Sequence, residues 1–132
     1  MAFLLFANPA HSQEVSVEDA RAIRAVVTDQ LDAFARDDGP RAFELAAAGI
    51  RARFGNHDVF MDMVRTGYPV VYRPRSVKFE KIEVVEGAII QPVLMTDDEG
   101  RAWLALYPML REPGAGWRIN GCRLARVSGR ET

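Results

Sequence analysis

The apolar residues of this chain change their period once, at Pro69, and that change limits which folds are open to it. Before it, Ile23, Val26, Val27, Leu31 and Phe34 recur every three or four positions, so the spacing predicts one long amphipathic helix from Val17 to Arg36. Ser16-Val17-Glu18-Asp19 supplies a capping box at its start. After Pro69 the apolar residues alternate, as they do in strands with one buried face. Helices first and a meander of strands second argue for an α+β domain.

Within the helical half, Asp37-Asp38-Gly39-Pro40 breaks the first helix, and Asp38 can cap a second. That second helix should turn Phe43, Leu45 and Ala46 inward and end near Gly49. A short third segment carries Ile50 and Phe54 and stops at Gly55-Asn56. Asn56 then caps a helix in which Val59, Phe60, Met63 and Val64 form the buried face, with Asp58, Asp62 and Arg65 opposite; Gly67 ends it. Val70-Val71-Tyr72, bounded by prolines, is expected as a short edge strand.

In "SVKFEKIEVVEG" the apolar parity moves from Val77 and Phe79 to Ile82 and Val84, which predicts a β-bulge near Glu80-Lys81. "AIIQPVLMT" and "RAWLALYPML" flank the hairpin turn Asp97–Gly100. The second of these is apolar on both faces, as a central strand covered by helices on one side and by something else on the other would be. "WRINGCRLARV" repeats the parity shift, with Gly121 at the step. Two bulges imply a strongly curved sheet wrapped around the first helix.

A length of 132 residues suits one domain, expected over residues 16–128, with a short tail at 129–132. The 17 basic and 18 acidic residues nearly cancel, which gives no support to a nucleic-acid partner. The first 15 residues read as a secretory leader or a disordered tail. Ala2–Ala7 is apolar, and Ala10 and Ser12 occupy the positions a signal peptidase reads, but a basic start is missing. The run is also shorter than the roughly 7–15 residues usual for a leader. A leader that has lost its beginning to a late start codon fits, and it implies a periplasmic or secreted protein. No run reaches the ~20 apolar residues of a membrane span.

The chain offers little catalytic chemistry. Its one cysteine, Cys122, forms no internal disulfide and reads as a small buried hydrophobe. His57, Asp58 and Asp62 look like a cluster, but their spacing makes them a cap and a solvent face. With no second histidine or usable thiol at ligand spacing, neither a metal nor any other cofactor is expected. A Cys122–His57 nucleophilic pair would need a thiolate in an electropositive, exposed setting, and strand alternation separates the nearby arginines. Gln30 is more informative. It lies on the apolar stripe of the first helix, where an amide must either tie the helix to its neighbour or face a cavity.

Three stretches, "QLDAFARDDGPRAFELAAAGIRARFG" (Gln30 to Gly55), "FMDMVRTGYPVVYRP" (Phe60 to Pro74) and "GWRINGCRL" (Gly116 to Leu124), resemble a bacterial family of short exported proteins designated domain of unknown function 4864. More distantly, the helix–turn–helix start and the closing "WRI" resemble the nuclear transport factor 2-like superfamily, with its ketosteroid isomerases and polyketide cyclases. That likeness implies a cone-shaped fold whose curved sheet and first helix enclose a cavity. In the isomerase-like relatives a polar residue of the first helix enters the pocket and acidic residues on the sheet transfer protons. Here the strand acids Glu80, Glu83 and Glu86 lie in a Lys/Glu-rich, solvated stretch.

The candidates for lining a cavity are therefore Gln30, Tyr68, Tyr72, Gln91, Trp103 and Tyr107, a set suited to a small apolar molecule. The same rings could instead fill the core or cover a sheet face at a homodimer contact. Phe60, Met63, Tyr68 and Tyr72 are expected beside any site, and His57 outside it. The resulting expectation is a non-enzymatic domain that binds a small apolar ligand or a protein partner. An isomerase- or cyclase-like enzyme using the same cavity and a structural dimerising domain are the alternatives.

Overall fold

The computed structural model describes residues 15–128. The expected leader, apart from Val15, and the expected tail lie outside the described residues. Helix α1 (Val17–Ala35) starts where expected, with the Ser16 Oγ accepting from the Asp19 amide at 3.0 Å. It buries Ile23, Val27, Gln30, Leu31, Ala33 and Phe34. The Asp19 carboxylate turns to the sheet, where it accepts from Arg111 and Trp117. At the other end Asp37 takes the left-handed conformation (φ 56°), and Arg73 donates to the carbonyls of Phe34 and Ala35 at 2.8 Å each. A cation on the last carbonyls suits the negative end of a helix.

Asp38 caps α2 (Gly39–Glu44), accepting from the Arg41 amide at 3.1 Å. This helix ends at Glu44, five residues before the expected Gly49, which lies inside α3 (Ala48–Phe54). The cause is the sheet. Ala46 forms a parallel bridge with Ile119 of the sheet, with Ile119 N donating to Leu45 O at 2.9 Å and Ala47 N donating to Ile119 O at 2.8 Å. Asn56 caps α4 (His57–Gly67) as expected, accepting from Val59 N at 2.9 Å. Its buried face is turned from the expected one: Phe60, Met61 and Val64 are buried, while Val59 is 48% exposed. The helix packs on α2 as well as α3, and a Cβ at Gly39 would sit 3.3 Å from Met61.

Val70–Tyr72 is not a strand. Pro69–Tyr72 forms a single helical turn, α5, with the amides of Val71 and Tyr72 both 3.0 Å from the Tyr68 carbonyl. Proline is favoured at a first helical position, and burial of Val70 and Val71 overrides their strand preference.

The sheet is antiparallel and built on the long hairpin of β3 (Ala88–Thr96) and β4 (Ala102–Glu112). Strands β1 (Ser76–Phe79) and β2 (Glu83–Val85) both pair with β3. Strands β5 (Gly116–Ile119) and β6 (Arg123–Arg126) both pair with β4. Each flank carries the extra residue that the parity shifts predict. From Phe79 to Glu83 is four steps, against three from Val93 to Ile90. From Ile119 to Arg123 is also four, against three from Met109 to Leu106. Gly121, at φ 132°, takes the second step. Bulges increase local twist, and the sheet curls into a half-barrel with α1 packed on it. Val93, Met95, Ala105, Tyr107, Met109, Trp117 and Ile119 form its buried side.

Candidate functional site

The curl leaves a pocket of about 430 Å³ between α1, α3, α4 and the step from β5 to β6. Phe34, Ile50, Phe54, Phe60, Val64 and Val71 give it an apolar wall. Phe60 anchors that wall, its ring centroid 5.5 Å from Phe43, 5.8 Å from Phe54 and 6.1 Å from Phe34. Offset and edge contacts at these separations fix ring positions beyond what area burial alone achieves. Polar groups enter at few points. Tyr107 comes from β4, Gln30 from α1, Arg53 from α3, and Asn120 and Cys122 from the β5–β6 step.

Tyr107 is 1% exposed, and among the described residues its hydroxyl has no oxygen or nitrogen partner; only the Cys122 thiol, a weak donor and acceptor, lies beside it. Burial pushes its pKa well above the ordinary tyrosine value, and the neighbouring Cys122 adds to the shift. The Cys122 thiol is likewise pushed up, by burial, to about 12. Both groups are thus neutral at physiological pH, so the thiol is no nucleophile and the phenol is a hydrogen-bond donor. Gln30, 4% exposed, donates from Nε2 to Ala42 O at 3.0 Å and so ties α1 to α2 while lining the pocket.

The six candidates from the sequence divide among three places. Gln30, Tyr68 and Tyr107 meet in this pocket, together with Phe60 and Met63. Gln91 stands opposite Tyr107 in the β3–β4 register, but its amide donates to Glu80 O at 2.9 Å and Pro92 O at 2.8 Å, closing the first bulge. It lines a different groove, beside the start of α1. Tyr72 and Trp103 line a third, on the side of the Asp97 turn. The Tyr72 hydroxyl donates to Asp37, and the Trp103 indole donates to Asp97 at 3.0 Å. His57 does not line the pocket; it faces Asp58 across 3.3 Å. No group of three or more metal-ligating side chains occurs among the described residues. No described helix is long and apolar enough to cross a membrane.

Arg53 and Asn120 were not foreseen. An exposed arginine in a short helix carries no sequence signal of its own, and Asn120 was visible only as part of a bulge.

The molecule is thus an α+β domain whose curled antiparallel sheet and N-terminal helices border a ring-lined pocket with a buried phenol in its wall. A family model described as "Domain of unknown function (DUF4864)" matches residues 16–132, and the chain belongs to that family. No curated protein and no solved structure matches it.

Proposed function

We propose that this domain binds a small, largely apolar molecule in the pocket between α1, α3, α4 and the β5–β6 step. The observation that carries the reading is the ring-rich wall around about 430 Å³ of open space, with the Tyr107 hydroxyl buried in it and, among the described residues, only the Cys122 thiol beside that hydroxyl. A thiol is a weak partner for a buried hydroxyl, which costs about 1–3 kcal/mol when wholly unmet, and an acceptor on a bound molecule would improve on it. The ring-rich wall and the few polar points are those of a small-molecule site. Among the described residues the lining holds no carboxylate and no imidazole, so a proton-abstracting isomerase or cyclase would lack its base there. The kinship with nuclear transport factor 2-like proteins belongs to the same proposal.

Titration with 2-naphthylmethanol, followed by NMR of the Ile and Val methyl groups, tests the reading. Saturable shifts at Ile50, Val64, Val71 and Ile119 are expected. Shifts confined to other methyls, or none up to the solubility limit, refute it.

A second reading, pairing with another protein surface, rests on the outer row of the sheet. Ile90, Leu94, Leu104 and Leu106 are only half-buried there, and Leu110 is 43% exposed. Light scattering decides it: a dimer that L106K dissociates supports this reading, and a monomer at high concentration removes it. Export is proposed from the leader-like start alone. A mature N-terminus at Gln13 in protein recovered from the periplasm supports it, and an intact Met1 on cytoplasmic protein refutes it.

A further inference from the structure

We infer that the ligand of this pocket is an anion, a ring-containing apolar acid whose carboxylate is held at the mouth by Arg53. The inference rests on the pocket reading above and adds the charge and chemical class of the molecule bound.

Among the described residues, Arg53 is the only charged side chain in the lining. The other arginine of α3, Arg51, donates to the Ala46 carbonyl. Arg53 makes no hydrogen bond and no ion pair with any described residue, and its side chain lies exposed on the last turn of α3. Asn120 enters the same lining from the β5–β6 step. A guanidinium presents a planar fork of donors that matches the two oxygens of a carboxylate, and the Asn120 amide offers the lining a further donor. With no acidic side chain in the lining, the cation is uncompensated, so the pocket attracts negative charge and disfavours a cationic ligand.

The body of the ligand follows from the wall. Phe34, Phe54, Phe60 and Tyr68 bring rings into a wall shared with Ile50, Met63, Val64 and Val71, and ring-on-ring contacts there favour a flat ring system over a flexible chain. The Tyr107 hydroxyl gives that body a further donor, away from water.

The test compares 2-naphthoate with its neutral counterpart 2-naphthylmethanol at pH 7, titrating wild type, R53Q and R53K by calorimetry. Wild type should prefer the acid roughly fivefold at low salt, the upper range for a charged pair at a solvent-exposed rim. R53Q should remove the preference by weakening only the acid, and R53K should restore part of it. In about 1 M NaCl the preference should shrink, because screening there acts over only ~3 Å. Arg53 is exposed, so the variants should keep the fold, with circular dichroism as the check. Equal affinities in wild type, or equal weakening of both compounds by R53Q, overturn the anion inference and leave the pocket reading standing. Failure of both compounds to bind overturns the pocket reading and this inference with it.

Discussion

The indole N–H of Trp117 donates to the Asp19 carboxylate across 3.2 Å, joining the first turn of α1 to β5. Arg111 reaches the same oxygen at 2.5 Å and lies over the Trp117 ring, 4.7 Å from its centroid. One carboxylate thereby binds the N-terminal end of the helix to two neighbouring strands.

The pH dependence of stability should report this junction. Hydrogen bonds from Arg111 and then Trp117 hold the Asp19 carboxyl below its ordinary value of 3.8. A depressed folded-state pKa stabilises above the unfolded value, and the contribution disappears as pH falls through the folded value. D19N should therefore be less stable than wild type at pH 7, with the gap closing below about pH 4. Urea midpoints at pH 7 and pH 2.5 check this, and a gap that persists at the lower value contradicts it.

Gln30 provides the second prediction. Its amide supplies the buried donor for the Ala42 carbonyl, at 3.0 Å. Q30L keeps much of the volume but leaves that carbonyl unpaired, and should cost about 1–3 kcal/mol. Urea unfolding should show a lower midpoint with an unchanged slope. A loss within error of zero would mean that water replaces the amide.

At Gly39 the constraint is close approach. A Cβ there would lie 2.9 Å from His57 Nδ1 and 3.3 Å from Met61 Cγ, in the packing of α2 on α4. The His57 ring, the Met61 side chain or the N-terminal turn of α2 would have to move away, so G39A should destabilise by about 1 kcal/mol, the low end for overpacking. H57A made in addition should recover part of the loss. A double mutant that is merely additive would place the strain elsewhere.

Much of this architecture was readable from local pattern, and the exceptions share a cause. The caps at Ser16, Asp38 and Asn56 follow from short polar side chains placed before apolar periodicity. The two bulges follow from parity shifts, since a period of two cannot lose a residue silently. Val70–Tyr72 misled because its β-branched residues favour a strand, whereas Pro69 and burial against the core set a helical turn. That turn sends Tyr72 to Asp37 and away from the pocket. Trp103 and Tyr107 share one parity on β4, yet they lie two turns of the pleat apart and border different grooves. Alternation tells the face of a residue, not its place along a curled sheet.

Cys122 should be inert in the folded protein. Burial pushes its thiol up to about 12, so almost no thiolate exists at pH 8. An aromatic disulfide reagent should label the unfolded chain within minutes and the native chain orders of magnitude more slowly. Rapid labelling of native protein would show an accessible thiolate and reopen a nucleophilic role.

The last prediction concerns Tyr107, where stability and binding should move in opposite directions. Its hydroxyl is buried and, among the described residues, has only the Cys122 thiol beside it. Y107F removes this poorly met donor and keeps the ring among its neighbours, so it should stabilise the free protein by up to about 1 kcal/mol. The same change deletes a donor that a bound molecule would use, so 2-naphthylmethanol and 2-naphthoate should both bind several-fold more weakly. Denaturant midpoints and calorimetric titration of one preparation give both values. A destabilised Y107F would mean that the hydroxyl is satisfied in the free protein, and unchanged affinities would take Tyr107 out of the site.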